Sequence, residues 1–285
     1  MEIAAGMIDS HFHSLHMERK GLDVRALLGA CFERGFAGGL DAAVDCAGFE
    51  RRRELASVFP GIRLAAGISP SATAEPGWEE QLTELDKQLD APEVRALGEI
   101  GLDWYRGYGG QEPQLELFER QLELAGARGL PVVIHNRQAD QELVEVLERT
   151  HPPRGGILHC FSGDYELARR LMDLGFLISF AGNITYPGAQ VLRGVAARIP
   201  ANRLLLETDA PYLTPQPERG RTNQPAYIAY TYALVAELRG VSLEKVIHAV
   251  RENFERSLGA AESCRPLRMD SEGPGGSEDP GNNPV

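Results

Sequence analysis

The stretch PQLELFERQLELAGARGLPVVIHNR, residues 113–137, holds one complete helix-to-strand unit. Leu115, Phe118, Leu122 and Ala125 recur at steps of three, four and three, the spacing that lines one face of a helix over 113–128. Pro113 suits the first turn, where its missing N–H leaves no bond unmade, and Gly129 suits a left-handed stop. The next residues, PVVI, form a continuous apolar run of the kind found in parallel strands covered on both faces. That run ends on an imidazole, His135.

Working outward, seven further short apolar runs resemble it. The expected strands span 7–12, 40–46, 62–68, 94–100, 131–136, 156–161, 175–181 and 203–208, with helical spacing between them. Strand and helix in regular alternation imply a parallel sheet, and eight units imply closure into a TIM-like (β/α)8 barrel, an α/β fold. An open doubly wound sheet is the alternative, but no GxGxxG turn follows the first strand. After the eighth strand comes a polar loop, PYLTPQPERGRTNQP (211–225), then helical stretches near 225–239 and 242–257, the latter with Ser242 as a plausible N-cap. Residues 1–262 are therefore expected to form a single domain. Residues 263–285, rich in Gly, Pro, Ser, Asp and Asn, hold too few apolar groups to offset the entropy of ordering and are expected to be a disordered tail.

Composition limits the function. The formal net charge of -12 argues against broad attraction to a polyanion, so any nucleic-acid contact must be local. The four cysteines, Cys31, Cys46, Cys160 and Cys264, form no CxxC pair, and the opening MEIAAGMIDS lacks a basic segment followed by an apolar signal core. No run approaches the roughly 20 apolar residues that span a bilayer. A reduced, cytoplasmic, monomeric enzyme with no membrane association and no obligate protein partner is the expectation.

The chemistry lies at the strand ends. His11 and His13 alternate on one strand, so both are expected to face the same way. His135 and His159 end two further runs, while Glu99, Asp103 and Asp209 stand in or just after others. In a parallel barrel these ends open into one shared mouth. A lone HxH pair is weak evidence of a metal site, and core or surface histidines are the commoner explanation. The four histidines together with Glu99 and Asp209, six residues in all, are hard to ascribe to packing, because a carboxylate set in an apolar run must be paired, neutralised or metal-bound. Four imidazoles and two carboxylates exceed what one tetrahedral ion needs. Two divalent ions about 3.5–4 Å apart, bridged by Glu99, would activate water near neutral pH and stabilise the oxyanions of an in-line displacement. Hydrolysis is the implied class. Imidazole with carboxylate suits Zn, Mn or Fe, while Mg prefers more oxygen.

The phrases IDSHFH (8–13), ALGEIGLDWYR (96–106), QLELAGARGLPVVIHNR (121–137), GGILHCFSGDYELA (155–168), GFLISFAGNIT (175–185), LLLETDAPYLTPQPERGRTNQP (204–225) and ENFERSLG (252–259) resemble the TatD-type metal-dependent hydrolases of the amidohydrolase superfamily. The resemblance implies a TIM-like barrel and metal-dependent cleavage of phosphodiester bonds in DNA or RNA, often 3′ to 5′ from a single-stranded end. It also implies that His11, His13 and Asp209 hold one ion, that His135 and His159 hold the other, and that Glu99 bridges. By the same resemblance Asp209 orients or deprotonates the attacking water.

Arg106 and Arg137, just beyond strand ends, are candidates to grip substrate phosphate through their planar forks, with a structural salt bridge as the alternative. Ser162, in CFSG, is a candidate phosphate donor or a turn serine. Arg221 is a further candidate phosphate contact. It lies with Arg219 and Asn223 in RGRTNQP, where the family generally reads RGKxNxP; anchoring of the loop is an equal alternative. Asp103 is expected to pair with one of the arginines, and Cys160 to be buried filler without a catalytic role. One departure from the family stands out: GISP (67–70) carries Ser69 where histidine is usual, and serine neither carries charge nor titrates near neutrality.

Three readings follow. The first is a two-metal phosphodiesterase, probing as a 3′–5′ exodeoxyribonuclease on nucleic acid. The second is a hydrolase of esters or amides, such as an aminoacyl-tRNA deacylase, or of small phosphoesters, using the same activated water. The third is a non-catalytic barrel, which would not require so complete a ligand set. Many amidohydrolase relatives bridge their metals with a modified lysine, whereas the fourth strand here offers Glu99, which favours the first reading.

Overall fold

In the computed structural model, which describes residues 2–259, eight parallel strands run in sequential order β1 to β8 with helices between them. The order is β1 (Ile8–Phe12), α1 (Ser14–Arg19), α2 (Val24–Glu33), β2 (Gly38–Ala42), α3 (Phe49–Val58), β3 (Ile62–Ala66), α4 (Trp78–Gln88), β4 (Val94–Asp103) and α5 (Gln111–Arg128). It continues with β5 (Val132–Arg137), α6 (Asp140–Thr150), β6 (Gly156–Leu158), α7 (Tyr165–Asp173), β7 (Phe176–Phe180), α8 (Gln190–Arg198), β8 (Leu204–Leu206), α9 (Ile228–Arg239) and α10 (Leu243–Leu258). The sheet closes at its ends. Phe12 bridges Ala210, and the Asp209 N–H donates to the His11 carbonyl at 3.0 Å. The chain is a TIM-like barrel, as the alternation of runs implies.

The strands form because their side chains are buried on both faces, and one contiguous apolar core fills the barrel and the shell beneath the helices. The helix expected over 113–128 spans Gln111–Arg128 and stops at Gly129 in the left-handed conformation, φ 61°. Its buried glutamines are an addition to the amphipathic pattern: Gln121 clasps both the N–H and the carbonyl of Ile68 at 2.9 Å, and Gln114 accepts from Asp103 N at 2.9 Å. These bonds satisfy backbone groups where β3 and β4 end. Tyr232 of α9 does the same for Ile8, and Ser242 caps α10 as expected.

Strand limits differ from the sequence expectation where they matter most. β4 extends to Asp103 rather than residue 100, because Gly101, Leu102 and Asp103 pair with His135, Asn136 and Arg137. Asp103 and Arg137 thus end strands instead of following them. A Cβ on Gly101, whose φ is +136°, would lie 2.0 Å from the His135 carbonyl, so only glycine permits this approach of β4 to β5. β6 and β8 are shorter than expected, ending at Leu158 and Leu206, since the backbone leaves the ladder at Cys160 (φ 47°) and Asp209 (φ 54°). β2 lies at 38–42, not 40–46. The stretch 263–285, expected to be a tail, lies outside the described residues.

Candidate metal centre

Six side chains from five strand ends converge at the C-terminal mouth. His11 lies on β1, while His13 sits one residue past it as the N-cap of α1, so the pair does not share a strand as expected. The register shift between Asp9 and Phe12 and the turn into α1 still bring their Nε2 atoms within 3.2 Å. The His13 Nδ1 lies 3.0 Å from the Ala42 carbonyl on β2, which fixes the ring with Nε2 toward the mouth. Glu99 projects from β4, His135 from β5, His159 from just past β6 and Asp209 from just past β8.

Glu99 is the hub. Its Oε2 lies 3.5 Å from His11 Nε2 and 3.4 Å from His13 Nε2, while its Oε1 lies 2.9 Å from His135 Nδ1 and 3.3 Å from His159 Nε2. Asp209 Oδ1 stands 3.4 Å from His13 Nε2 and 4.0 Å from His11 Nε2. The His11 and His159 rings stack with centroids 3.9 Å apart. Three overlapping groups could hold a metal ion: His11, His13 and Glu99; Glu99, His135 and His159; and His11, His159 and Asp209. The first two divide the donors between the two oxygens of Glu99. The third crosses that division, because the stacked rings place His11 and His159 between the two halves.

The donor chemistry fits divalent cations. Protonated imidazoles so close together would repel, and neutral ones would leave buried Glu99 and Asp209 without compensating charge. The titration of the cluster reflects that tension. Burial disfavours the charged form of Glu99, yet the charge of His159 and hydrogen bonds from His11, His135 and His159 hold it well below the usual carboxylate range. For Asp209, burial is likewise outweighed by the hydrogen bond and charge of His13, and its pKa is lowered. Burial opposes protonation of His159, but Glu99 and a hydrogen bond to Glu207 raise it well above the imidazole norm. His13 and His135 are raised for the same reason: Asp209 and Glu99 outweigh burial for the first, Asp103 and Glu99 for the second. His11 is lowered, by burial and then by the charge of His159. Metal ligation requires neutral rings. Protons held on His13, His135 and His159 therefore compete with an ion, and metal affinity is expected to fall as pH drops, beginning above the range of an unperturbed imidazole. Competition with a coloured chelator across neutral pH reads this directly, and a flat profile would contradict it.

Behind the cluster lie two carboxylates. Asp103 Oδ2 is 3.3 Å from His135 Nε2, so Asp103 pairs with that histidine; its other oxygen accepts from the Arg106 N–H at 2.7 Å. The expected pairing with an arginine side chain is thus replaced by one to backbone. Glu207, which strand spacing did not separate from Asp209, accepts from Cys160 N at 2.8 Å and lies 3.3 Å from His159 Nδ1. Its signal was present in LLLETD, a carboxylate directly after three leucines. Carboxylates that receive the far nitrogen of a ligating histidine fix its tautomer and orientation. Glu207→Gln is accordingly expected to weaken metal binding by about 10- to 100-fold with the barrel intact, measured by chelator competition beside circular dichroism.

The other sequence candidates separate by location. Arg137, exposed at the end of β5, lays its guanidinium 3.8 Å from the centre of the Tyr105 ring. Arg106 and Ser162 are exposed beyond β4 and β6. Arg221 pairs with Glu218 at 2.9 Å on the loop after β8, and Arg219 stacks on Tyr186. Asn223 is buried and donates to the Thr208 carbonyl at 2.8 Å and to that of Tyr212, so it anchors the loop. Cys160 is pushed well up by burial and by the charges of Asp209, Glu207 and Glu99, which leaves no thiolate for nucleophilic work. Ser69 is buried at the start of a short turn, with its hydroxyl 2.7 Å from that of Ser71. Among the described residues, no helix is long and apolar enough to cross a membrane.

Known proteins are similar to this chain in sequence and in fold. The chain is 36% identical over 257 residues to the uncharacterized metal-dependent hydrolase YabD of Bacillus subtilis, covering 88% of this chain and 98% of that protein. It is 36% identical over 263 residues to the uncharacterized metal-dependent hydrolase TatD of Mycobacterium tuberculosis, covering 89% and 98%. The crystal structure of the TatD homolog YjjV from Escherichia coli superposes with a TM-score of 0.81 at 30% identity, over 90% of this chain and 99% of that one. Residues 8–259 match the family model described as TatD related DNase, and the chain belongs to that family of metal-dependent hydrolases.

Proposed function

We propose that this chain hydrolyses phosphodiester bonds of nucleic acid, as a 3′–5′ exodeoxyribonuclease acting on a single-stranded end. The observation that carries the reading is the division of Glu99, whose two oxygens each face a different pair of histidines. That arrangement suits two divalent ions, one held by His11, His13 and Asp209, the other by His135 and His159, with Glu99 shared. Zn, Mn, Mg or Fe would each supply, when bound, Lewis acidity toward a phosphoryl oxygen and a water acidic enough to attack near neutral pH.

The chain's own residues then have separable tasks. Asp209 stands beside His13 with a lowered pKa, so it is ionised at neutral pH and can accept a proton from water. Glu207 and Asp103 hold His159 and His135 in register. Arg106, Arg137, Ser162 and Arg221 surround the mouth as candidate contacts for phosphate. The acidic body of the protein makes such local cations necessary for a polyanionic substrate. All six candidate ligands come from one chain, and we take it to act as a monomer.

The test is hydrolysis of an end-labelled single-stranded DNA by metal-stripped protein resupplied separately with Mg, Mn and Zn. Stepwise shortening that requires metal is the expected result. Turnover of an aminoacyl ester or a small phosphoester with DNA left intact would transfer the chain to ester hydrolysis and direct attention to Ser69.

A further inference from the structure

Five large hydrophobic side chains are exposed among the described residues, and only two of them are aromatic: Tyr105, 56% exposed, and Tyr212, 44% exposed. Both stand at the metal mouth. Tyr105 follows β4 by two residues and leans on Arg137, the last residue of β5, whose guanidinium lies 3.8 Å from the ring centre. Tyr212 follows Asp209 by three residues; its ring centre is 6.1 Å from that of His13, and its hydroxyl is 3.1 Å from His16 Nδ1. In a closed sheet ordered β1 to β8, the β4–β5 edge and the β8–β1 edge are opposite each other. The two rings therefore flank the ligand cluster from opposite sides. Tyr105 is held by Arg137 and Tyr212 by His16, and each remains partly open to solvent.

An exposed aromatic ring beside a hydrolytic mouth offers a face on which a base can stack, and sequence-tolerant stacking of bases on such rings is how single strands are commonly held. Beyond Tyr212 the surface opens into a cavity of about 400 Å³ lined by Lys20, Arg219 and Arg221. In a chain of net charge -12, Lys20, Arg219 and Arg221 gather at one cavity beside the mouth, with Arg221 paired to Glu218 and Arg219 stacked on Tyr186, so the cavity is locally rich in basic side chains. The Tyr212 side of the mouth thus opens onto a basin that can take the continuing strand.

We infer that Tyr105 and Tyr212 are stacking platforms for the two bases that flank the scissile phosphate, with the terminal base on Tyr105 and the next base on Tyr212. The rest of the strand continues over the Lys20, Arg219 and Arg221 basin. This rests on the nucleic-acid reading given above and adds to it the substrate's path and direction across the mouth. It also gives the acidic protein a route to a polyanion without a basic face, because stacking contributes affinity that charge does not.

The test uses the metal-loaded protein and short single strands that are identical in phosphate number but abasic at the terminal or at the adjacent position. Cleavage is scored as kcat/KM, with Kd by fluorescence anisotropy as a second readout. Wild type should lose about tenfold for each missing base. Tyr105→Ala should lose about as much on the parent strand, yet be indifferent to the terminal abasic site while still sensing the adjacent one; Tyr212→Ala should show the reverse pattern. Tyr105→Phe and Tyr212→Phe should keep the discrimination, since the ring is retained. An alanine variant that loses equally on base-bearing and abasic strands, or a wild type blind to missing bases, overturns the inference while leaving cleavage of nucleic acid in place. Absence of both cleavage and binding of every strand, with a small phosphodiester still turned over, overturns the nucleic-acid reading itself.

Discussion

Glu99→Gln is expected to lower phosphodiester turnover by about a thousandfold or more and to reduce the bound metal, while the barrel stays folded. The reason lies in the geometry of one carboxylate. Glu99 reaches His11 and His13 with one oxygen and His135 and His159 with the other, at 2.9–3.5 Å. An amide of the same shape offers only one acceptor oxygen and no charge. It can serve one half of the cluster but turns an N–H donor toward the other. Elemental analysis of the purified variant beside wild type, with circular dichroism and Tm, separates loss of metal from loss of fold. A variant that keeps its full metal content and loses less than tenfold in rate would show that Glu99 is a bystander.

Asp209→Asn should act differently. Its expected cost is about 10²- to 10⁴-fold in kcat, the range for a removed general base, with Tm little changed and much of the metal retained. Asp209 lies just past β8 in a left-handed conformation, φ 54°, which asparagine adopts at least as readily, so the backbone has no reason to move. The side chain would keep an oxygen near His13 and lose the negative charge that lets it take a proton. The effect should therefore fall on kcat more than on KM. Its rate should also lose the acidic limb of the pH profile that Asp209 imposes. A large drop in Tm, or a rise in KM with kcat unchanged, would assign Asp209 to structure or to ground-state binding.

The barrel was legible because its units repeat. A run such as PVVIH followed by helical spacing recurs around the chain, and no other closed arrangement uses eight parallel strands of this kind. The six converging side chains were legible for a related reason: each interrupts or ends an apolar run, and strand ends share a mouth. What the linear pattern could not show is where the backbone leaves the ladder. Glu207 and Asp209 have the same parity, so a straight strand would put them on one side. The turn at Asp209 sends them to different places instead, Glu207 beneath His159 and Asp209 against His13. His11 and His13 show the converse, since they meet although β1 ends between them. Asp103 was seen but assigned to an arginine, because only three dimensions place it against His135. Tyr105 and Tyr212 carry no spacing signal; their interest comes from standing on opposite edges of the mouth.

The measurement that bears most directly on the central claim is metal stoichiometry against activity. Metal-stripped protein is titrated with Zn or Mn while bound ion and phosphodiester turnover are followed in the same samples. The account requires two ions per chain, with turnover reaching its maximum only as the second site fills and with Glu99→Gln failing to hold both. Full activity at one ion per chain, or turnover that persists in stripped protein held in chelator, would contradict it.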